Sequence, residues 1–285
     1  MSKICVSIFM FIGGYAFLLS KESSLIKRLW HIYKKYIITF LIATTFLFFS
    51  NKLYVNTFLY VRNALCISWE INGSWWFIST YILYIVFFYC IHKYLLKCSK
   101  NVQFLIFMLF SIVLPYLAIH IRTMHEINDI IRIQLHYFLY YINFFYLGLI
   151  FFQFKLFNLI RKNTKSGIIL ILLLCVIFYI RIFMGINWIN YILVPLLIAL
   201  ICFIPNDESI LRFLGKYSMG MWLIHMFFIE ERYFLRQIAF SSSPIIMFII
   251  VTILSLGYSI IESHTISISR QGIRMIKNNF TSLKK

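Results

Sequence analysis

Lys27, Arg28, His31, Lys34 and Lys35 crowd into one short stretch, enough positive charge to hold a multiply charged anion. Phosphate oxygens are met best by Arg and Lys donors. The same cluster also fits an ordinary positive-inside flank, because an apolar run follows it directly. His225 lies deep in the apolar stretch Met221 to Ile229. An imidazole there could take a proton from an attacking hydroxyl. A structural hydrogen bond to a neighbouring helix is the stronger reading, since ionisable residues in lipid usually face the bundle interior. Trp75, Trp76 and Tyr81 could line a ligand pocket or form an interfacial aromatic belt. His120, Arg122, His125, Glu126, Asp129, Arg132 and His136 make a polar cluster suited to contact with a polar ligand. His120 and His125 are five apart, not the three or four that places two ligands on one helix face, so no metal site is expected.

The elements that position these groups must lie in lipid. Of the 285 residues 62% are hydrophobic and 13% charged, against roughly a quarter charged in a soluble domain. A bilayer-spanning helix needs about 20 mostly apolar residues. Nine stretches come close, near 4–20, 33–50, 75–91, 102–121, 135–153, 167–183, 186–204, 213–229 and 244–261. The second is the weakest, because His31, Tyr33, Lys34 and Lys35 crowd its start. The expected architecture is all-α and polytopic, with about nine transmembrane helices in one domain over 1–285. No low-complexity linker interrupts it. Residues 1–20 could pass for a signal peptide, but no small-x-small cleavage site follows, so they are taken as a retained span. Six Cys occur without metal-ligand spacing and are taken as small buried hydrophobes.

A formal charge of +18 would suit nucleic acid, but the basic residues sit in short clusters between apolar runs and form no continuous face. Nucleic acid is excluded, and membrane lipid is the expected partner of these charges. If loops alternate sides, 19 of the 27 Lys and Arg fall in one set and 8 in the other. The positive-inside rule then puts the C-terminus in the cytoplasm and the N-terminus outside. An upstream helix would explain an outer N-terminus, so topology alone expects one more helix ahead of Met1.

Several local patterns together resemble the membrane-bound acyltransferase 3 family. Ile8-Phe9-Met10-Phe11-Ile12-Gly13-Gly14-Tyr15 is similar to its second-helix run, with Gly13 where Ser is usual. Leu25 to Tyr33 looks like its basic entry to the third helix, with His31 in place of an Arg and Lys34-Lys35 in place of Pro. Trp75-Trp76-Phe77 to Tyr81 and Tyr84 matches its Trp-Phe…Tyr helix. Asn143 to Ile150 resembles its Phe-Phe-x-x-Gly helix. Leu214-Gly215-Lys216-Tyr217-Ser218 to His225 resembles its late helix. The resemblance covers essentially the whole chain.

It implies transfer of an acyl group, expected to be acetyl, from acyl-CoA to a hydroxyl of a cell-envelope or capsular polysaccharide or lipid-linked glycan. Acetyl-CoA would be a donor substrate, and no resident cofactor is expected. It implies the plasma membrane of a bacterium. Lys27, Arg28, His31, Lys34 and Lys35 become the donor-binding candidates, with His31 only partly charged near neutral pH. Trp75, Trp76, Tyr81, Arg122 and His125 become the acceptor-side candidates. The nine stretches correspond in order to family helices two to ten. The family's first helix, bearing an Arg and a His taken to be catalytic, would precede Met1. The polypeptide as given is therefore expected to lack its general base unless His31 or His225 serves. A polymerase or flippase of oligosaccharide assembly is the alternative, weakened because the outer loop 51–74 carries only Lys52 and Arg62 as basic residues.

Overall fold

The structure is a computed structural model that describes residues 3–20, 24–49, 56–124, 126, 128–161, 172–177, 179–180, 189–203, 208–229, 236–240 and 243–282. Among these there are helices and no strands. In chain order they are α1 (Lys3–Leu19), α2 (Leu25–Phe49), α3 (Thr57–Ala64), a 3-10 turn (Gly73–Trp75), α4 (Trp76–Lys97), α5 (Lys100–Thr123), α6 (Asp129–Gln153), α7 (Leu156–Arg161), α8 (Asn190–Phe203), α9 (Glu208–Ile229), α10 (Arg236–Ala239) and α11 (Pro244–Ser282). Four are long and apolar enough to cross a membrane: the helix over Gly73–Lys97, α5, α6, and α11 over Pro244–Ile268. Shorter apolar helices cover Cys5–Leu19 and Asn190–Leu200. Most of the stretch expected at 167–183 lies outside the described residues.

One difference from the sequence reading concerns α2. It begins at Leu25, well before the apolar stretch starting near 33. Lys and Arg have long aliphatic stems and good helix propensity, so a basic cluster extends a membrane helix into the interface instead of ending it.

The chain packs as two compact units. The first comprises residues 1–29 and 77–206. Its central helix is α6, 61% buried over its apolar window, whereas α5 is 11% buried and shows most of its apolar surface outward. The difference follows polarity: α6 carries Gln134, His136 and Asn143 and has mean hydropathy 1.4, against 2.4 for α5, and polar groups in a membrane helix turn toward protein. Side-chain caps set several helix starts. Ser99 Oγ accepts from the Val102 N–H at the head of α5, and Asn128 Oδ1 from the Ile130 N–H at the head of α6. α1 lies against α6 at backbone distance. A Cβ on Gly14 would sit 1.8 Å from the Phe145 carbonyl oxygen, and one on Gly148 2.1 Å from that of Phe11. Each helix thus presents a glycine to the other's carbonyl three residues before its own glycine. Small residues allow this approach in lipid, where packing rather than hydrophobic transfer holds helices together. Phe145 also stacks on Phe88 at 5.0 Å, and the Tyr84 hydroxyl donates to the Phe138 carbonyl at 2.7 Å.

The second unit comprises residues 30–76 and 207–285. Its α9 and α11 pack closely at Gly220, where a Cβ would meet Ser259 Oγ at 2.3 Å and Glu262 Oε2 at 2.4 Å. Trp75 is almost fully buried, and its indole Nε1 donates to the Leu223 carbonyl of α9 at 3.1 Å. Tyr36 and Phe40 of α2 and Phe227 of α9 close around its ring.

Candidate functional site: a basic cavity

Three helices of the second unit converge on a cavity of about 550 Å³. His31, Lys34 and Lys35 come from α2, Lys216 and Tyr217 from α9, and Ser263, His264, Ile266 and Ser267 from α11. The spacing explains the convergence. On α2 the side chains of His31, Lys34 and Lys35 share a face because helical neighbours recur at three and four residues. On α11 Ser263 and Ser267 are four apart, with His264 and Ile266 flanking them. The volume lies within the usual range for small-molecule sites. Three lysines, two imidazoles and two serine hydroxyls make it a donor-rich concavity, and no carboxylate lines it. Such a site favours phosphate-like anions.

A second cavity, of about 510 Å³, lies in the first unit. Phe107, Met108, Ile112, Leu147, Phe151, Tyr191 and Pro195 are among its walls, with no charged residue, so it cannot compete for an anion.

The structure brings His31, Lys34 and Lys35 of the donor-binding candidates to the basic cavity. Lys27 is exposed on α2. Arg28 is engaged in the first unit. Its guanidinium donates to the carbonyls of Phe17 at 2.7 Å and Ser20 at 3.3 Å, and it covers the Phe17 ring at 4.6 Å. It therefore satisfies carbonyls at the C-terminal end of α1, which would otherwise be left without donors. Lys216 and His264 are cavity residues that the sequence reading did not assign to a site. Lys216 does stand in the Gly-Lys-x-Ser segment singled out there, which was the available signal.

His225 is half-buried on α9, with Nδ1 at hydrogen-bond distance from the Trp222 carbonyl. Trp75 is a core residue of the second unit, Trp76 is half-buried, and Tyr81 is half-buried in the first unit against Gly13 and Phe145. Arg122 is exposed at the end of α5, and His125 lies outside the described residues. Three others of that polar cluster are engaged elsewhere or with each other. Arg132 pairs with Asp129 and donates to the Met124 carbonyl at 2.9 Å. His136, inside the expected span 135–153, is buried within α6, its Nδ1 2.7 Å from the Ala118 carbonyl. Among the described residues no His, Cys, Asp and Glu cluster could hold a metal ion.

Helices apolar enough to cross a bilayer point to a membrane protein, and one of its two units holds a donor-rich cavity. The particular class follows from comparison. An acyltransferase-domain family model, Acyl_transf_3, matches residues 1–262, and the chain belongs to that family. It is an integral membrane protein of the acyl-transferring kind. No curated protein and no solved structure matches it.

Proposed function

We propose that this protein transfers an acyl group, acetyl in the simplest case, from acyl-CoA to a hydroxyl of an envelope or capsular glycan. The basic cavity carries this reading. Coenzyme A brings several phosphate charges, and Lys34, Lys35 and Lys216 with His31 and His264 offer matching donors in one concavity. The hydroxyl oxygen attacks the thioester carbonyl, an O–acyl bond forms and the C–S bond breaks. The hydroxyl proton ends on the departing sulfur, giving free coenzyme A and the ester.

The Lys and Arg asymmetry between loops supports a cytoplasmic placement of the cavity end and of the C-terminus. Acyl-CoA is cytoplasmic, whereas envelope glycans are built toward the outer face. A polytopic chain suits a reaction whose substrates arrive from opposite sides of the bacterial plasma membrane. Of the acceptor-side candidates, Trp75 is enclosed in the core and serves packing, which leaves Trp76, Tyr81, Arg122 and His125 as separate candidates. The test is incubation of the protein in lipid nanodiscs with radiolabelled acetyl-CoA and envelope glycan. Label should pass to the glycan as an alkali-labile ester, and the triple variant Lys34→Met, Lys35→Met, Lys216→Met should lose most of it. Absence of both ester formation and acetyl-CoA binding in the parent protein would refute the reading, whereas binding without transfer fits the expected lack of a general base.

A further inference from the structure

The cavity of about 510 Å³ in the first unit has no part in the reaction as written, yet its few polar atoms are unusual. It lies among α5, α6 and α8, and its wall residues Met108, Ile112 and Ile192 are also exposed on the outer surface. α5 and α6 are apolar enough to cross a membrane, and Ile112 stands near the middle of α5. What meets the opening is therefore hydrocarbon and not water. A cavity with apolar walls stays dry and takes apolar ligands. Only two of the lining residues are polar, Ser111 and Tyr191. Ser111 Oγ is buried without a hydrogen-bond partner among the described residues. A serine inside a helix often bonds the carbonyl one turn back, and this one does not. The Tyr191 oxygen accepts from Asn143 Nδ2 at 3.1 Å, so its own proton is left to donate elsewhere. Asn143 is fully buried, and its Oδ1 has no partner among the described residues. The Tyr191 ring is held in place, stacked on Phe144 at 4.5 Å. Two prolines add acceptors. Pro115 stands four residues after Ser111 in α5, and Pro195 four after Tyr191 in α8. Proline has no N–H for the carbonyl four residues back. The helical donors are thus removed from the carbonyls of the two residues that bring polarity to the cavity. Membrane helices tolerate this where another group answers the freed carbonyl.

We propose that this cavity binds a neutral alcohol borne on a hydrocarbon chain, entering from the bilayer, with the chain against the apolar walls and the hydroxyl at Ser111 and Tyr191. A hydroxyl both donates and accepts. It takes the Tyr191 proton and gives its own to Ser111 Oγ or to a carbonyl that a proline has freed. A plain alkyl chain would leave those atoms buried and unmet, which costs their full desolvation. A charged head group finds no ionic partner in the walls and is disfavoured at this depth. The inference does not rest on the donor reading, because the basic cavity belongs to the other unit.

The test is photolabelling of the full chain in nanodiscs with two probes, hexadecanol and hexadecane, each carrying the same mid-chain diazirine. Labelling of the cavity walls is normalised to that of the remaining lipid-facing surface of α5. The alcohol should label the walls about tenfold more than the alkane, the worth of one or two hydrogen bonds. Tyr191→Phe combined with Ser111→Ala should bring the alcohol down to the alkane level. Equal labelling by the two probes overturns the proposal, because water then answers the polar atoms, and so does a preference that survives the double variant. Should that variant fail to fold, Ile112→Trp decides, since it narrows the opening from an exposed position. Alcohol labelling of the walls must then fall, and unchanged labelling overturns the proposal. Unlabelled hexadecanol and farnesol compete in separate arms. Competition by the linear alcohol alone points to a fatty alcohol, by the branched one alone to an isoprenoid alcohol, and by both to a site that reads the hydroxyl; competition by neither overturns the proposal. Acetyl transfer is followed on the same samples. Its failure together with that of acetyl-CoA binding would defeat the proposed function while leaving the alcohol site in place.

Discussion

Gly14→Ala tests the packing on which the first unit depends. The added Cβ would stand 1.8 Å from the Phe145 carbonyl oxygen and 2.7 Å from its carbon, where ordinary contact begins at 3.4 Å. Both obstacles are backbone of a helix, so no rotamer change relieves them, and α1 must move away from α6 by about the missing 1.6 Å. Such a shift opens contacts around Met10, Phe11 and Phe145, each at most 1% exposed. Dispersion falls steeply with a gap of that size. Overpacking costs 1–3 kcal/mol where side chains can adjust, and a backbone obstacle belongs at the top of that range, so about 3 kcal/mol is expected. Gly148→Ala meets the Phe11 carbonyl at 2.1 Å and should cost about as much. Gly13→Ala meets the Tyr81 ring at 2.5 Å, a side chain that can swing aside, so about 1 kcal/mol is expected. Gly215 and Gly257 have nothing within 4 Å, and alanine there should be neutral or stabilise by up to ~1 kcal/mol through helix propensity. The assay is thermal unfolding in detergent, followed by the fraction that stays monodisperse on size exclusion. If Gly14→Ala and Gly148→Ala melt with Gly257→Ala, the close approach of α1 and α6 is wrong.

Lys216→Met should raise the KM for the acyl donor about tenfold, one charge-assisted contact, with kcat little changed. Arg28→Met should leave that KM alone and instead lower stability by about 1–2 kcal/mol, because the Phe17 and Ser20 carbonyls lose their donor. Trp75→Phe keeps most of the ring packing but drops the bond to the Leu223 carbonyl, a loss of about 1 kcal/mol visible in the same melting assay. Burial pushes the Cys66 thiol up to about 12, against a lesser opposing effect of the Tyr36 hydroxyl. In a variant keeping only that cysteine, the iodoacetamide rate should still climb tenfold per pH unit above pH 9.5, where an ordinary thiol has levelled off near its pKa of about 8.5. A plateau below pH 10 would contradict the buried placement.

Local sequence carried the local part of the site. His31, Lys34 and Lys35 fall within five positions, so helical spacing alone unites them on α2. Lys216 and His264 were beyond reach of that logic. They stand about 180 and 230 residues further on, each in its own stretch indistinguishable from a positive-inside flank, and only the packing of α9 on α11 brings them to α2. The Gly13-Gly14 and Gly148 segments were legible as parts of the family's motifs. Their mutual engagement was not, since many small-residue sites could have paired. His136 was grouped with the polar cluster by residue type, although it falls inside the expected span 135–153; in α6 it is buried against the Ala118 carbonyl. Arg28 was assigned to the ligand by its charge, whereas its hydrogen bonds serve the end of α1. The general lesson concerns charge in an apolar chain. A cluster of like charges is easy to see and ambiguous in use, because topology and ligand binding both demand it.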